Sequence, residues 1–144
     1  MLQLEATQPA ALERRRNIWM DIGEAALKQS ELEKALSAFE EADNSEQIEH
    51  TKQLIRQRDC KAGLKKAAQH ETDEQWETAI DLYRALQEEY PDLADFENLL
   101  EFAQTQGSLA DRYDQALTAL DSGEKETAER LLTRVIIKQP DYKE

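Results

Sequence analysis

Apolar and small residues return along this chain at helical spacing, in three stretches that can be laid over one another. Counting Arg16 as position 1, Trp19, Gly23, Ala35, Phe39 and Ala42 fall at positions 4, 8, 20, 24 and 27. Counted from Cys60, positions 8, 17, 20, 24 and 32 are Ala67, Trp76, Ala79, Tyr83 and Pro91. Counted from Leu109, positions 8, 20, 24, 27 and 32 are Ala116, Ala128, Leu132, Val135 and Pro140. Each stretch reads as a first helix over roughly positions 2–14 and a second over roughly positions 15–30. Gly23, Ala67 and Ala116 then lie where the first helix crosses Ala35, Ala79 and Ala128 of the second. Small residues there let the two axes approach closely, while Phe39, Tyr83 and Leu132, one turn on, fill the space beside the crossing.

Boundary residues agree with this division. Ser30 with Glu33 and Thr72 with Gln75 read as capping boxes, and Gly123 provides a turn between Leu120 and Ala128. Pro91 and Pro140 end the second helices of the second and third stretches. Small, large and proline positions recurring on this scale predict an all-α chain of stacked antiparallel helical hairpins.

The spacing between stretches adds a further expectation. The windows 16–49, 60–93 and 109–142 leave inserts at 50–59 and 94–108. These are not loop-like, because Ile48, Thr51, Leu54, Ile55 and Arg58, and then Phe96, Leu99, Leu100 and Ala103, keep helical spacing. Each insert lengthens the following helix or forms an extra one. Asn44 with Gln47, and Asp92 after Pro91, mark starts, while Gly107 and Ser108 offer a break. Residues 1–9, with Thr7, Gln8 and Pro9, read as a linker or frayed end, and residues 10–144 as a single repeat domain. The run Pro140, Asp141, Tyr142, Lys143 echoes Pro91, Asp92, Leu93, Ala94, so the chain is expected to be an excerpt of a longer array with an exposed apolar end.

On these residues the chain resembles the tetratricopeptide repeat. It departs from the family pattern at Gln47, where proline is usual, and at Gly63 and Arg112, where a bulky apolar residue is usual. The run Tyr113, Ala116, Leu117, Ala119, Leu120, Gly123, with the extended spacing, is similar to bacterial segments of this type attached to signalling, kinase or β-propeller domains. The resemblance implies a short right-handed α-solenoid acting as a cytoplasmic scaffold or regulatory module that binds proteins. It also implies a concave groove lined by positions 2, 5, 9, 12 and 13 of each first helix. The groove residues it selects here are Met20, Glu24 and Leu27, then Leu64, Ala68 and Glu71, then Tyr113, Leu117 and Leu120. The lysine and asparagine with which some members clamp a terminal carboxylate are replaced by Met20 with Glu24, Leu64 with Ala68, and Tyr113 with Leu117. A mixed apolar groove suited to a helix or an extended apolar peptide remains.

Charge narrows the partner. The net charge of −13 argues against general nucleic-acid binding, which needs a basic surface. From Glu71 to Gln104 eleven acidic residues face one base, Arg84, while from Lys52 to Lys66 six bases face one acid, Asp59. Both segments read as solvated helix faces, or as steering elements that attract a basic protein or the opposite segment of another copy. Arg14, Arg15 and Arg16 read either as contacts for phosphate or an acidic peptide or as a basic run neutralised by Glu13, Asp21 and Glu24 in helical reach. No apolar run is long enough to span a bilayer, no secretory leader follows Met1, and the single cysteine suits a reducing, cytoplasmic setting.

Catalytic patterns are not found. His50, Cys60 and His70 stand ten residues apart, a spacing that does not gather ligands on one helix, so no metal and no cofactor is expected. Phosphate-binding glycine loops, nucleophile elbows and zinc-protease motifs are missing, and neighbouring acids such as Glu40 with Glu41 or Glu88 with Glu89 face apart. The aromatic residues Trp19, Phe39, Trp76, Tyr83, Phe96 and Phe102 are expected mainly in the core. The sequence therefore predicts a non-catalytic protein-interaction module, the alternative being a structural spacer or self-association element of a larger signalling protein.

Overall fold

A computed structural model of the chain describes residues 8–143. Six helices and no strand occur among the described residues: α1 (Pro9–Lys28), α2 (Leu32–Glu41), α3 (Ser45–Thr72), α4 (Trp76–Glu89), α5 (Phe96–Asp121) and α6 (Lys125–Lys138). Most of the expected linker, residues 1–7, lies outside the described residues, and Pro9 opens α1 where its fixed φ and missing N–H are tolerated. The chain divides into two compact units, Met1–Lys61 and Ala62–Glu144.

In the first unit a short turn joins α1 to α2, and Arg15 Nη2 meets Glu41 Oε2 at 2.8 Å at the far end, so the pair is an antiparallel hairpin. The predicted crossing is present. A Cβ added to Gly23 would lie 2.5 Å from Phe39 Cε1, so the ring covers the glycine directly. Ala26, Ala35 and Phe39 form the core, with Met20, Leu27 and Ile48 packed against it. In the second unit the core is Ala67, Ala79, Tyr83 and Ala103, flanked by Leu64, Trp76, Ile80, Leu82, Leu99 and Leu100. There α4 packs on α5 and α5 on α6, with Ala116, Ala128 and Val135 buried.

The hairpin turns correct the predicted caps. Ser30, Glu74 and Gly123 hold position 15 of their windows with φ of 60°, 58° and 79°, all in the left-handed region. In each, the next residue donates its backbone N–H to the carbonyl five residues back: Glu31 to Ala26 at 2.9 Å, Gln75 to His70 at 2.8 Å, and Glu124 to Ala119 at 2.8 Å. This is a Schellman closure repeated three times. Neither Ser30 nor Thr72 is therefore a capping box: Ser30 is the left-handed residue, and the Thr72 hydroxyl donates back to the Ala68 carbonyl at 3.1 Å. Asn44 does cap α3, its Oδ1 accepting from Gln47 N at 3.1 Å. The cap of α5 is Asp95 rather than Asp92, accepting from Asn98 N at 3.3 Å.

Both inserts lengthen the following helix, giving α3 its 28 residues and α5 its 26. The expected break at Gly107 and Ser108 does not occur, since α5 runs through both. A Cβ at Gly107 would lie 3.0 Å from the Trp76 Cβ, so the glycine serves close approach of α4, not a bend. The prolines act as predicted: α4 ends at Glu89 and α6 at Lys138, and the echoed turns match, Leu93 N donating to Tyr90 O and Tyr142 N to Gln139 O, each at 3.1 Å. Of the aromatic residues expected in the core, Phe39, Tyr83 and Phe96 are buried and Trp19 and Trp76 half-buried. Phe102 is instead 52% exposed, meeting Trp76 edge-on with centroids 6.2 Å apart.

Candidate functional site

The groove residues of the first unit do different work from one another. Met20 and Leu27 pack against the core formed by Ala26, Ala35 and Phe39, and Met20 Sδ accepts a hydrogen bond from Asn44 Nδ2 at 3.4 Å. Glu24 is exposed. The open apolar surface of α1 lies nearer its start, where Leu12 and Ile18 are 53% and 58% exposed. A shallow groove of about 570 Å³ runs there past Ala11, Arg14, Ile18 and Trp19.

In the second unit Leu64 packs against the core and Ala68 is exposed. Glu71 is half-buried and accepts a hydrogen bond from the Tyr83 hydroxyl. Burial foremost, and then the Glu71 carboxylate, push the Tyr83 hydroxyl from the ordinary 10.0 up to about 12. Glu71 Oε1 is buried with no hydrogen-bond partner. Tyr113, Leu117 and Leu120 stand three and four residues apart on α5 and share a face. Leu117 and Leu120 are 42% and 46% exposed, an apolar surface that no helix of the second unit covers.

Beside that face is a groove of about 770 Å³ between the start of α4 and the middle of α5. Trp76, Ile80 and Ala110 give it an apolar lining, and Glu74, Glu77, Asp111 and Asp114 line it with carboxylates. The segment after α6 folds back onto this region. Gln139 accepts from Gln106 Nε2 at 2.7 Å, and the Tyr142 ring meets Tyr113 edge-on with centroids 5.8 Å apart. Lys143 forms an ion pair with Glu74, and its Nζ stands 6.0 Å from the centre of the Tyr142 ring. Burial holds the Tyr142 hydroxyl above the ordinary tyrosine range, and it has no hydrogen-bond partner. Apart from Ala110, which the position rule reaches, this carboxylate-lined groove escaped the sequence. The signal available was the acidic stretch beginning at Glu71, but its convergence with Asp111 and Asp114 depends on how α4 meets α5.

Residues 61–93 match the tetratricopeptide repeat. This tetratricopeptide match falls on the hairpin of α3 and α4 and coincides with the second predicted window to within one residue at its start. The α1–α2 and α5–α6 hairpins carry the same small-residue crossing and the same left-handed closure. The match supports a protein–protein interaction module built on a helical repeat. No curated protein and no solved structure gives a significant match. Among the described residues no group of three His, Cys, Asp or Glu side chains is placed to hold a metal, and no helix is long and apolar enough to cross a membrane.

Proposed function

We propose that this chain is a non-catalytic protein-interaction module that captures a segment of a partner protein along the α5 face at Tyr113, Leu117 and Leu120. The observation that carries the reading is the exposure of Leu117 and Leu120 in line with Tyr113, on a helix whose other faces are occupied by α4 and α6. Water-exposed leucines at helical spacing beside an aromatic ring suit an apolar anchor from another chain. Ala68 and Glu71 of the same unit extend the surface, while Leu64 supports it from the core. In the first unit Glu24 is open to contact, and Met20 and Leu27 contribute mainly packing. A scaffold or regulatory segment of a larger cytoplasmic signalling protein fits this activity, in line with the resemblance to repeat segments attached to kinase or β-propeller domains.

The test is affinity capture from native cell extract with the intact chain beside a Tyr113→Ala, Leu117→Ala variant of unchanged helicity. We expect a retained protein to be lost, with a weakening of at least about tenfold, as befits removal of interface anchors. Undiminished retention by the variant would contradict the reading. One observation favours the spacer and self-association alternative: Ile136 and Ile137 on α6 are 56% and 76% exposed. Under that reading sedimentation shows a concentration-dependent oligomer that Ile137→Lys disperses.

A further inference from the structure

We infer that the edge of the carboxylate-lined groove of the second unit, where Glu74 stands near Tyr113, recognises a protein segment in which an aromatic residue is followed directly by lysine or arginine, and that Tyr142 and Lys143, packed on Tyr113 and Glu74 at that edge, are the molecule's own stand-in. The inference rests on the binding reading above and adds the chemistry of the partner.

The internal segment shows what the surface accepts. An aromatic ring sits edge-on against Tyr113, and the ammonium of the next residue sits on Glu74. Trp76, Ile80 and Ala110 supply apolar surface for the flanking part of a bound segment. Asp114 acts on Lys143 through its charge, and no ion pair among the described residues reaches Glu77 or Asp111, so the groove keeps two carboxylates for further basic groups. Such a surface repels an acidic peptide and draws in a basic one.

The stand-in is also an imperfect fit, which is what a displaceable occupant requires. Lys143 is held at φ 56°, a backbone conformation that residues with a side chain rarely adopt. The Tyr142 hydroxyl is buried with no hydrogen-bond partner, a cost that an incoming aromatic residue without a hydroxyl avoids. A partner segment that keeps the ring and the cation in a relaxed backbone therefore competes favourably for the same place. While the internal residues are seated, apparent affinity for such a segment is reduced by the fraction of molecules whose groove is open.

Synthetic peptides test this directly. One carries Tyr-Lys, one Tyr-Glu and one Ala-Lys in an otherwise identical neutral sequence, and binding is read by fluorescence anisotropy at low and high salt. The intact chain is compared with Tyr142→Ala, Lys143→Ala and with Glu74→Gln, Asp114→Asn, each checked by circular dichroism. Should the first variant lose helicity, Lys143→Ala alone replaces it. We expect the Tyr-Lys peptide to bind about tenfold more tightly once the internal residues are removed, the gain expected if the groove is open in about a tenth of molecules. Neutralising Glu74 and Asp114 should weaken it about tenfold, with loss in salt. Equal binding of the Tyr-Glu peptide, or no binding by the opened groove, overturns the proposal. If capture of a natural partner still depends on Tyr113 and Leu117 while no Tyr-Lys peptide binds, the partner chemistry is wrong and the binding face stands. If neither occurs, both fall.

Discussion

Position 15 of each hairpin is where a single residue decides how the chain reverses. Gly123 takes its φ of 79° without a Cβ penalty, whereas Ser30 takes 60° with one. Ser30→Gly should therefore raise stability, by about 1 kcal/mol on the ordinary cost of a left-handed residue. A urea midpoint that fails to rise would contradict this. The glycine at 123 was legible as a turn, but Ser30 and Thr72, each followed three residues later by Glu or Gln, imitate caps. The imitation arises because a Schellman closure needs only backbone donors, so the side chain at the turn leaves little trace in the sequence. Tyr83 is the residue with a pH consequence. Its hydroxyl keeps its proton in the folded chain up to about 12 but loses it near 10.0 when unfolded. Its contribution is thus fully present below pH 10.0 and is lost as pH rises toward 12. Denaturant midpoints across that window should fall more steeply for the intact chain than for Tyr83→Phe, and equal slopes would contradict the burial of this group.

The inserts were readable because Thr51, Leu54 and Ile55, then Leu99, Leu100 and Ala103, keep helical spacing through them. The continuity of α5 through Gly107 was not, since the reason for that glycine is the approach of Trp76 from another helix. Asn44 opens α3 and also reaches Met20, so Asn44→Ala should cost about 1 kcal/mol through loss of the cap. A change in unfolding midpoint too small to measure would remove Asn44 from that role. Gly23→Ala tests the crossing of α1 on α2. Three atoms of the Phe39 ring lie within 2.8 Å of the added Cβ, and overpacking of that kind costs about 1–3 kcal/mol. A thermal midpoint at or above that of the intact chain would mean that the ring is not seated as described. The Arg58 pairs with Glu33 and Asp59 are exposed and add little to these terms.

For the whole molecule, the repeat of small, large and proline positions was enough to read helical hairpins, because each hairpin closes through contacts between residues close in sequence. The binding surface was only half legible. Tyr113, Leu117 and Leu120 follow from one helix's spacing, but the carboxylates of the adjoining groove come from Glu74 and Glu77 on one side and Asp111 and Asp114 on the other. No local pattern brings those together, and none announces that Tyr142 and Lys143 fold back upon them. Capture of a partner segment by the α5 face is open to amide chemical-shift mapping of the intact chain with a protein recovered by capture. The largest changes should fall over residues 110–121, with Glu74 and Glu77 following. Changes confined to the outer side of α6 around Ile136 and Ile137, with α5 unmoved, would contradict it.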